Sequence, residues 1–225
     1  VTILPSRLVQ ALHRFNAAHP WDHNAHYHPW LLRQLPRRFG SALDVGCGSG
    51  DLVRRLAGHA ESVVGVDADP RILDRARELT DASAPVTYTR AAAPHGLPSG
   101  PYDVITCVAV LHHLPCADSL ARFRRELAPG GTLVVVGCAR PQGALDHAIG
   151  LAAVPLNALI GWAKNRGRAT AHRPLSMTAL TRDPELTLDE IGREAARLLP
   201  GARLRRRLFW RYTLVWRAPA APRGR

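Results

Sequence analysis

The sequence predicts an α/β fold, a doubly wound and mostly parallel sheet closed by a C-terminal antiparallel hairpin. Three observations carry that expectation. Short apolar runs alternate with amphipathic segments from Ser41 to Gly137, the order of a parallel sheet with helices on both faces. The first apolar run leads straight into a glycine-rich turn, "GCGSG". The last two runs, "ARLRRRLFW" and "RYTLVWRA", are too close for a helical crossover, so they pair antiparallel.

The elements follow in order. "SRLVQALHRF" (Ser6 to Phe15) opens on an N-cap-like serine with apolar residues at helical spacing. A second helix is expected in "HYHPWLLRQL". "SALDV" (Ser41 to Val45) reads as a buried strand, "DLVRRLAG" as a helix closed by Gly58, and "ESVVGVD" as a strand ending at Asp67. "DPRILDRARELT" is a helix with Asp69 as N-cap and Pro70 at its first position. "PVTYTR" is a strand, "YDVITCVAV" (Tyr102 to Val110) begins as one, and "ADSLARFRREL" is a helix stopped by Pro129-Gly130-Gly131. "GTLVVVG" is another buried strand. After Gly137 the rhythm breaks, and residues from about 139 to 185 read as an insertion. "TLDEIGREAARLLPG" then has Thr187 as N-cap, Glu190 completing a capping box, and Gly201 past its end. The expected division is an N-terminal helical lid at 1–40 and a core at 41–225 with the insertion on its substrate side.

Composition bounds the function. The 225 residues are 46% hydrophobic, enough for one packed core. The net charge is +12, and Lys164 is the one lysine. The arginines are spread along the chain, so solvated faces are favoured over a nucleic-acid patch. Their densest run, Arg203 to Arg211, coincides with an alternating strand pattern. Cys47, Cys107, Cys116 and Cys138 have neither metal-ligand nor redox spacing. With no secretory pattern at the start, reduced thiols in the cytoplasm are expected. The run "AIGLAAVPLNALIGWA" (Ala148 to Ala163) is shorter than the ~20 residues of a bilayer span. It contains Pro155 and Asn157, and is expected to form a buried helix pair or the wall of an apolar pocket.

The motif that carries chemistry is "LDVGCGSG", Leu43 to Gly50. Glycines at 46, 48 and 50 allow a tight turn and close approach of a ligand to the backbone. Asp67 stands about 20 residues on, at the end of the next strand, where a carboxylate accepts from ribose hydroxyls. Asp44 lies two residues before the first glycine. A pyrophosphate gains nothing from that charge, whereas the ammonium of S-adenosylmethionine does.

"LDVGCGSG", "VVGVDADP", "YDVITCVAVLHHLP" and "LAPGGTLVVVG" resemble, in order and spacing, the motifs of class I S-adenosylmethionine-dependent methyltransferases. They look most like the small-molecule branch related to the ubiquinone/menaquinone-biosynthesis C-methyltransferases. The resemblance covers about residues 40 to 137 and, more loosely, the closing hairpin. It implies a Rossmann-like seven-stranded sheet, S-adenosyl-L-methionine as cofactor and S-adenosyl-L-homocysteine as product. It also implies that Asp44, Gly46, Cys47, Gly48 and Gly50 surround the methionyl end and that Asp67 holds the ribose. Ala68 and Ile72 would pack near the adenine, with Cys107 and Val108 on the sulfonium side. The family's acidic residue after the third strand is replaced by Ala91-Ala92-Ala93, leaving backbone groups near Ala92, or His95, to meet the adenine amino group. The Asn/Asp-Pro-Pro-Tyr/Phe motif that nucleic-acid and protein amine methyltransferases commonly carry after the fourth strand is absent from "CVAVLHHLP".

"HPWDHNAHYHPW", His19 to Trp30, concentrates four histidines. Pro20 and Pro29 interrupt a helix there, and no Cys or carboxylate pair completes a ligand set, so no metal site is expected. The segment precedes the first strand and reads as a cover over the cofactor, with Tyr27 as a cofactor contact and His23 or His28 facing substrate. His112 and His113, after the fourth strand, are the other candidates for removing a proton, although the resemblance implies a structural or cofactor-contact role for a histidine pair at this place. The expected protein is a monomeric or homodimeric cytoplasmic methyltransferase of specialised metabolism. Its acceptor would be an oxygen, carbon or aliphatic nitrogen of a small, partly apolar molecule, with no membrane span. A nucleic-acid methyltransferase and a catalytically silent binding protein on the same fold are the alternatives.

Overall fold

The computed structural model describes residues 6–170 and 182–221. Seven strands form one sheet: β1 Phe39–Val45, β2 Ala60–Asp67, β3 Val86–Arg90, β4 Tyr102–Val108, β5 Leu127–Gly137, β6 Arg203–Arg207 and β7 Arg211–Arg217. Their spatial order is β3-β2-β1-β4-β5-β7-β6. The first five are parallel, and β7 runs antiparallel between β5 and β6.

The central strands are apolar at nearly every position because both faces are covered. On one face Leu43, Ile105, Leu133 and Val135 pack with Leu120 and Phe123. On the other, Ala42, Val104, Val134 and Val136 pack with Leu52, Val53 and Leu56. The period-2 alternation thus divides each strand between two cores. The helices are α1 Ser6–Ala18, α2 His23–His26, α3 His28–Leu32, α4 Asp51–Ala57, α5 Pro70–Glu78, α6 Cys116–Glu126, α7 Gly143–Lys164 and α8 Leu188–Leu198. Asp69 caps α5 by accepting from the Arg71 N–H, and Thr187 and Glu190 form the capping box of α8.

Two expectations need correction. The segment around residue 30 forms two short helices, not one, because Asp22 caps α2 at the Asn24 and Ala25 N–H groups and Pro29 opens α3. The apolar run at 148–163 is not a buried helix pair. It belongs to one 22-residue helix, α7, long and apolar enough by length and composition to cross a membrane. Leu145, Leu151, Leu159 and Trp162 on it are exposed.

Its inner side anchors the N-terminal segment. Trp21 Nε1 donates to Asn157 Oδ1 at 3.0 Å, His23 Nε2 lies 2.7 Å from the same oxygen, and Asn165 Nδ2 donates to the Pro20 carbonyl at 3.0 Å. A Cβ on Gly161 would stand 2.5 Å from the His19 carbonyl, so the backbones meet directly. Phe209, from the β6–β7 turn, fills the space between Trp21 and α7 with Ala153.

Candidate active site

The site lies at the carboxyl ends of β1, β2 and β4, where the strand order reverses. The turn after β1 is tied to β2, since the Gly46 and Cys47 N–H groups both donate to the Val66 carbonyl. Gly46 has φ +72°, and a Cβ there would sit 2.1 Å from Val110 Cγ2. Glycine is therefore dictated twice, by conformation and by space. Asp67 Oδ2 accepts from the Gly48 N–H at 2.9 Å and Oδ1 from the Asp69 N–H at 3.0 Å. Each oxygen keeps lone-pair capacity for a ligand hydroxyl.

A cavity of about 440 Å³ opens over this turn. Asp22, Asp44, Asp51, Asp67 and Asp69 line it, and no arginine or lysine among the described residues does. Such a wall favours a cation. Asp44 is buried at 3% exposure and accepts from Thr106 Oγ1 at 2.6 Å. Burial pushes its carboxyl up to about 6, against the opposing effect of the Thr106 hydrogen bond. His28 Nδ1 stands 3.2 Å from Asp51 Oδ2, a contact that is ionic only where the ring is protonated. That neighbour is the main reason the Asp51 carboxyl is held down at about 2.

A second cavity, about 430 Å³, adjoins the first. Asn24, Ala109 and His113 line both. Its walls include Ile149 and Gly150 of α7, Leu188, and Arg207, Trp210 and Arg211 of the hairpin. Ala109 has φ +57° and Trp210 φ +58°, conformations that cost a non-glycine residue about 1–2 kcal/mol each and persist where surrounding structure holds them. The His112 and His113 rings are tilted 38° to each other, with centroids 4.0 Å apart. Burial, then the His113 and Arg211 charges, push His112 down to about 4. His113 is lowered by burial and then by Arg182.

The structure brings Asp44, Gly46, Cys47, Gly48, Asp67, Ala68, Val108, His28 and His113 to the first cavity, and His112 to the second. Five candidates lie elsewhere. Tyr27 donates its hydroxyl to the Leu208 carbonyl at 2.7 Å and packs in the core, so it holds the hairpin. His23 is taken up by Asn157 and by the rings of Trp21 and Phe209. Cys107 is fully buried in the sheet core. Ala92 is exposed, while Ala91 and Ala93 line the cavity. Gly50 caps α4 at φ +77°, against Tyr88. Asn24, Ala109, Trp210 and Arg211 were not foreseen. Ala109 lay in the quoted stretch after the fourth strand and Arg211 at the end of the dense arginine run, which read as a strand, while Asn24 stood within a stretch already conspicuous for its polar residues.

A doubly wound sheet with an acidic, glycine-floored cavity at its switch point defines a Rossmann-like α/β protein whose cavity suits a cationic ligand. Comparison with known proteins narrows the class. Residues 42–131 match the family described as "Methyltransferase domain". Over 204 residues the chain is 33% identical to "Uncharacterized methyltransferase Rv0089" of Mycobacterium tuberculosis, covering 89% of this chain and 98% of that one. It is 32% identical over 125 residues to the "Ubiquinone biosynthesis O-methyltransferase" of Thiobacillus denitrificans, covering 49% and 54%. The N-methyltransferase NodS from Bradyrhizobium japonicum, solved with S-adenosyl-L-homocysteine, has the same fold at a TM-score of 0.58 and 18% identity, covering 93% and 97%. The chain belongs to the class I S-adenosylmethionine-dependent methyltransferases. It is an enzyme, and S-adenosylmethionine is its methyl donor.

Proposed function

We propose that the chain methylates an oxygen, carbon or aliphatic nitrogen of a small, partly apolar organic molecule, within the cytoplasm and as part of specialised metabolism. The observation that carries this is the meeting of an acidic cavity and a second, partly apolar one at Asn24, Ala109 and His113. When bound, S-adenosylmethionine supplies an electrophilic methyl group on a sulfonium. Asp44 would take its ammonium, Asp67 its ribose hydroxyls, and Ala68, Ile72, Ala91 and Ala93 its adenine. These residues fit the group, because five carboxylates and no guanidinium among the described residues face it.

The enzyme's own task is then positioning and, for oxygen or carbon, proton removal. His113 lines both cavities, and its lowered pKa leaves the ring neutral with a free lone pair at pH 7. It is the better base; His112, at about 4, is too weakly basic. The N-terminal segment, clamped on α7, serves as the lid, and α7 with the hairpin as the acceptor wall. We read α7 as that wall and not as a membrane span, because Trp21, His23 and Pro20 dock on it. All four cysteines are free, in keeping with a reducing compartment.

The test is transfer of a labelled methyl group from S-adenosylmethionine to a panel of phenols, activated methylene compounds and aliphatic amines, with RNA and DNA oligonucleotides alongside. Small-molecule products, reduced about 10²–10⁴-fold in rate by His113→Ala for an oxygen or carbon acceptor, are expected. Transfer to the oligonucleotides alone would overturn the proposal.

A further inference from the structure

The two cavities differ in charge. The cofactor cavity has five aspartates and, among the described residues, no arginine or lysine. The acceptor cavity has five arginines, at 140, 182, 206, 207 and 211, against Asp146 and Asp183. Three of the five are already matched. Arg206 pairs with Asp146 at 2.6 Å, Arg182 with Glu185, and Arg140 lies 3.9 Å from Glu190. Arg207 lies over the Trp30 ring at 5.0 Å and donates to Thr213.

Arg211 is different. It is half-buried at the start of β7, and among the described residues no carboxylate is within ion-pair reach of it. Its Nε and Nη2 both point at one neutral oxygen, Asn24 Oδ1, at 3.3 and 3.0 Å, and Nη1 reaches the Phe209 carbonyl at 3.4 Å. On the same cavity wall, His112 Nδ1 is buried with no hydrogen-bond partner among the described residues. A partly buried guanidinium facing only neutral acceptors, with a ring nitrogen on the same wall that can donate in the tautomer carrying its proton there, is a site suited to an anion. Ile149, Leu188, Pro141 and the strained Trp210 supply apolar surface on the same wall.

We propose that the acceptor is an amphiphilic carboxylic acid, its carboxylate held by Arg211 and its apolar body lying against Ile149, Leu188 and Trp210. This rests on the methyltransferase reading and adds the substrate class. The opposed charges of the two cavities would then sort a cationic donor from an anionic acceptor on either side of Ala109 and His113.

The test is calorimetry on the full chain saturated with S-adenosyl-L-homocysteine. The probes are two matched pairs, 4-hydroxybenzoate with 4-hydroxybenzamide and octanoate with octanamide, together with phenyl phosphate. At least one acid is expected to bind about 10-fold or more tighter than its amide, and phenyl phosphate no tighter than the better acid. Arg211→Gln should erase the preference while leaving S-adenosyl-L-homocysteine affinity unchanged, and Arg211→Lys, which keeps the charge, should retain part of it. Equal binding of acids and amides by the wild type, no acid binding, a preference that survives Arg211→Gln, or tighter binding of phenyl phosphate overturns the proposal. The wild-type comparison stands even where Arg211→Gln does not fold. Failure to bind S-adenosyl-L-homocysteine at all would instead overturn the enzyme reading beneath it.

Discussion

Asp44 should trade stability for cofactor binding, and Asp44→Asn measures both sides. Burial raises this carboxyl from 3.8 to about 6, and every tenfold change in its acidity corresponds to about 1.4 kcal/mol. The ligand-free fold therefore favours the protonated form. Its contribution is complete below pH 3.8 and is lost as the pH rises through about 6. At pH 7.5 the ionised Asp44 costs the empty protein about 3 kcal/mol. Asparagine keeps an oxygen for the Thr106 hydroxyl and cannot ionise. In urea unfolding, Asp44→Asn should be about 1–3 kcal/mol more stable than wild type at pH 7.5, with the gain gone by about pH 4. Cofactor affinity should move the other way. The ionised fraction of Asp44 falls from about nine-tenths at pH 7 to about one-tenth at pH 5, so wild-type affinity for S-adenosylmethionine should weaken roughly tenfold over that range. The variant should bind at least about tenfold more weakly at pH 7 and show no such slope. Wild-type affinity constant from about pH 5 to 8, or a variant destabilised at both pH values, would refute the reasoning.

Gly46→Ala should cost about 2–4 kcal/mol in urea unfolding, from the left-handed backbone and the contact with Val110. His23→Ala should cost about 1 kcal/mol through the lost contact with Asn157 and leave S-adenosylmethionine affinity unchanged by calorimetry; a large loss of affinity would return His23 to the site. With His113 as the base, the acid limb of kcat for an oxygen or carbon acceptor should lie below pH 6.5, because burial lowers His113 and activity disappears only as the ring protonates. An acid limb above 6.5 that His113→Ala leaves in place would assign the proton to another group.

What the sequence revealed follows from the range of the interactions. Strands such as Ser41–Val45 and helices such as α8 announce themselves through periodicity and caps within a short stretch of chain, so their order was legible. The glycine-rich turn was legible for the same reason, since Asp44, Gly46 and Gly48 lie close together in the chain and Asp67 closes the neighbouring strand. The second cavity was legible only in outline, as an insertion at about 139–185 expected on the substrate side. Asn24, Ala109, Ile149 and Arg211 come from separate parts of the chain, and only the folded chain brings them together. The histidine-rich stretch misled in a specific way. Its side chains suggested ligand contacts, yet Trp21 and His23 are occupied by Asn157, 136 and 134 residues away. Tyr27 was misplaced because the Leu208 carbonyl that takes its hydroxyl lies on a turn 181 residues on.

The most direct measurement is calorimetric titration of the full chain with S-adenosylmethionine, for wild type and for Asp67→Ala, with circular dichroism to confirm that both fold. Two charge-assisted hydrogen bonds from ribose hydroxyls are worth about 3 kcal/mol or more together. Wild type is expected to bind at about micromolar Kd and Asp67→Ala about 100-fold more weakly. A folded wild type that does not bind, or a folded Asp67→Ala that binds equally well, would contradict the assignment of this cavity to the methyl donor.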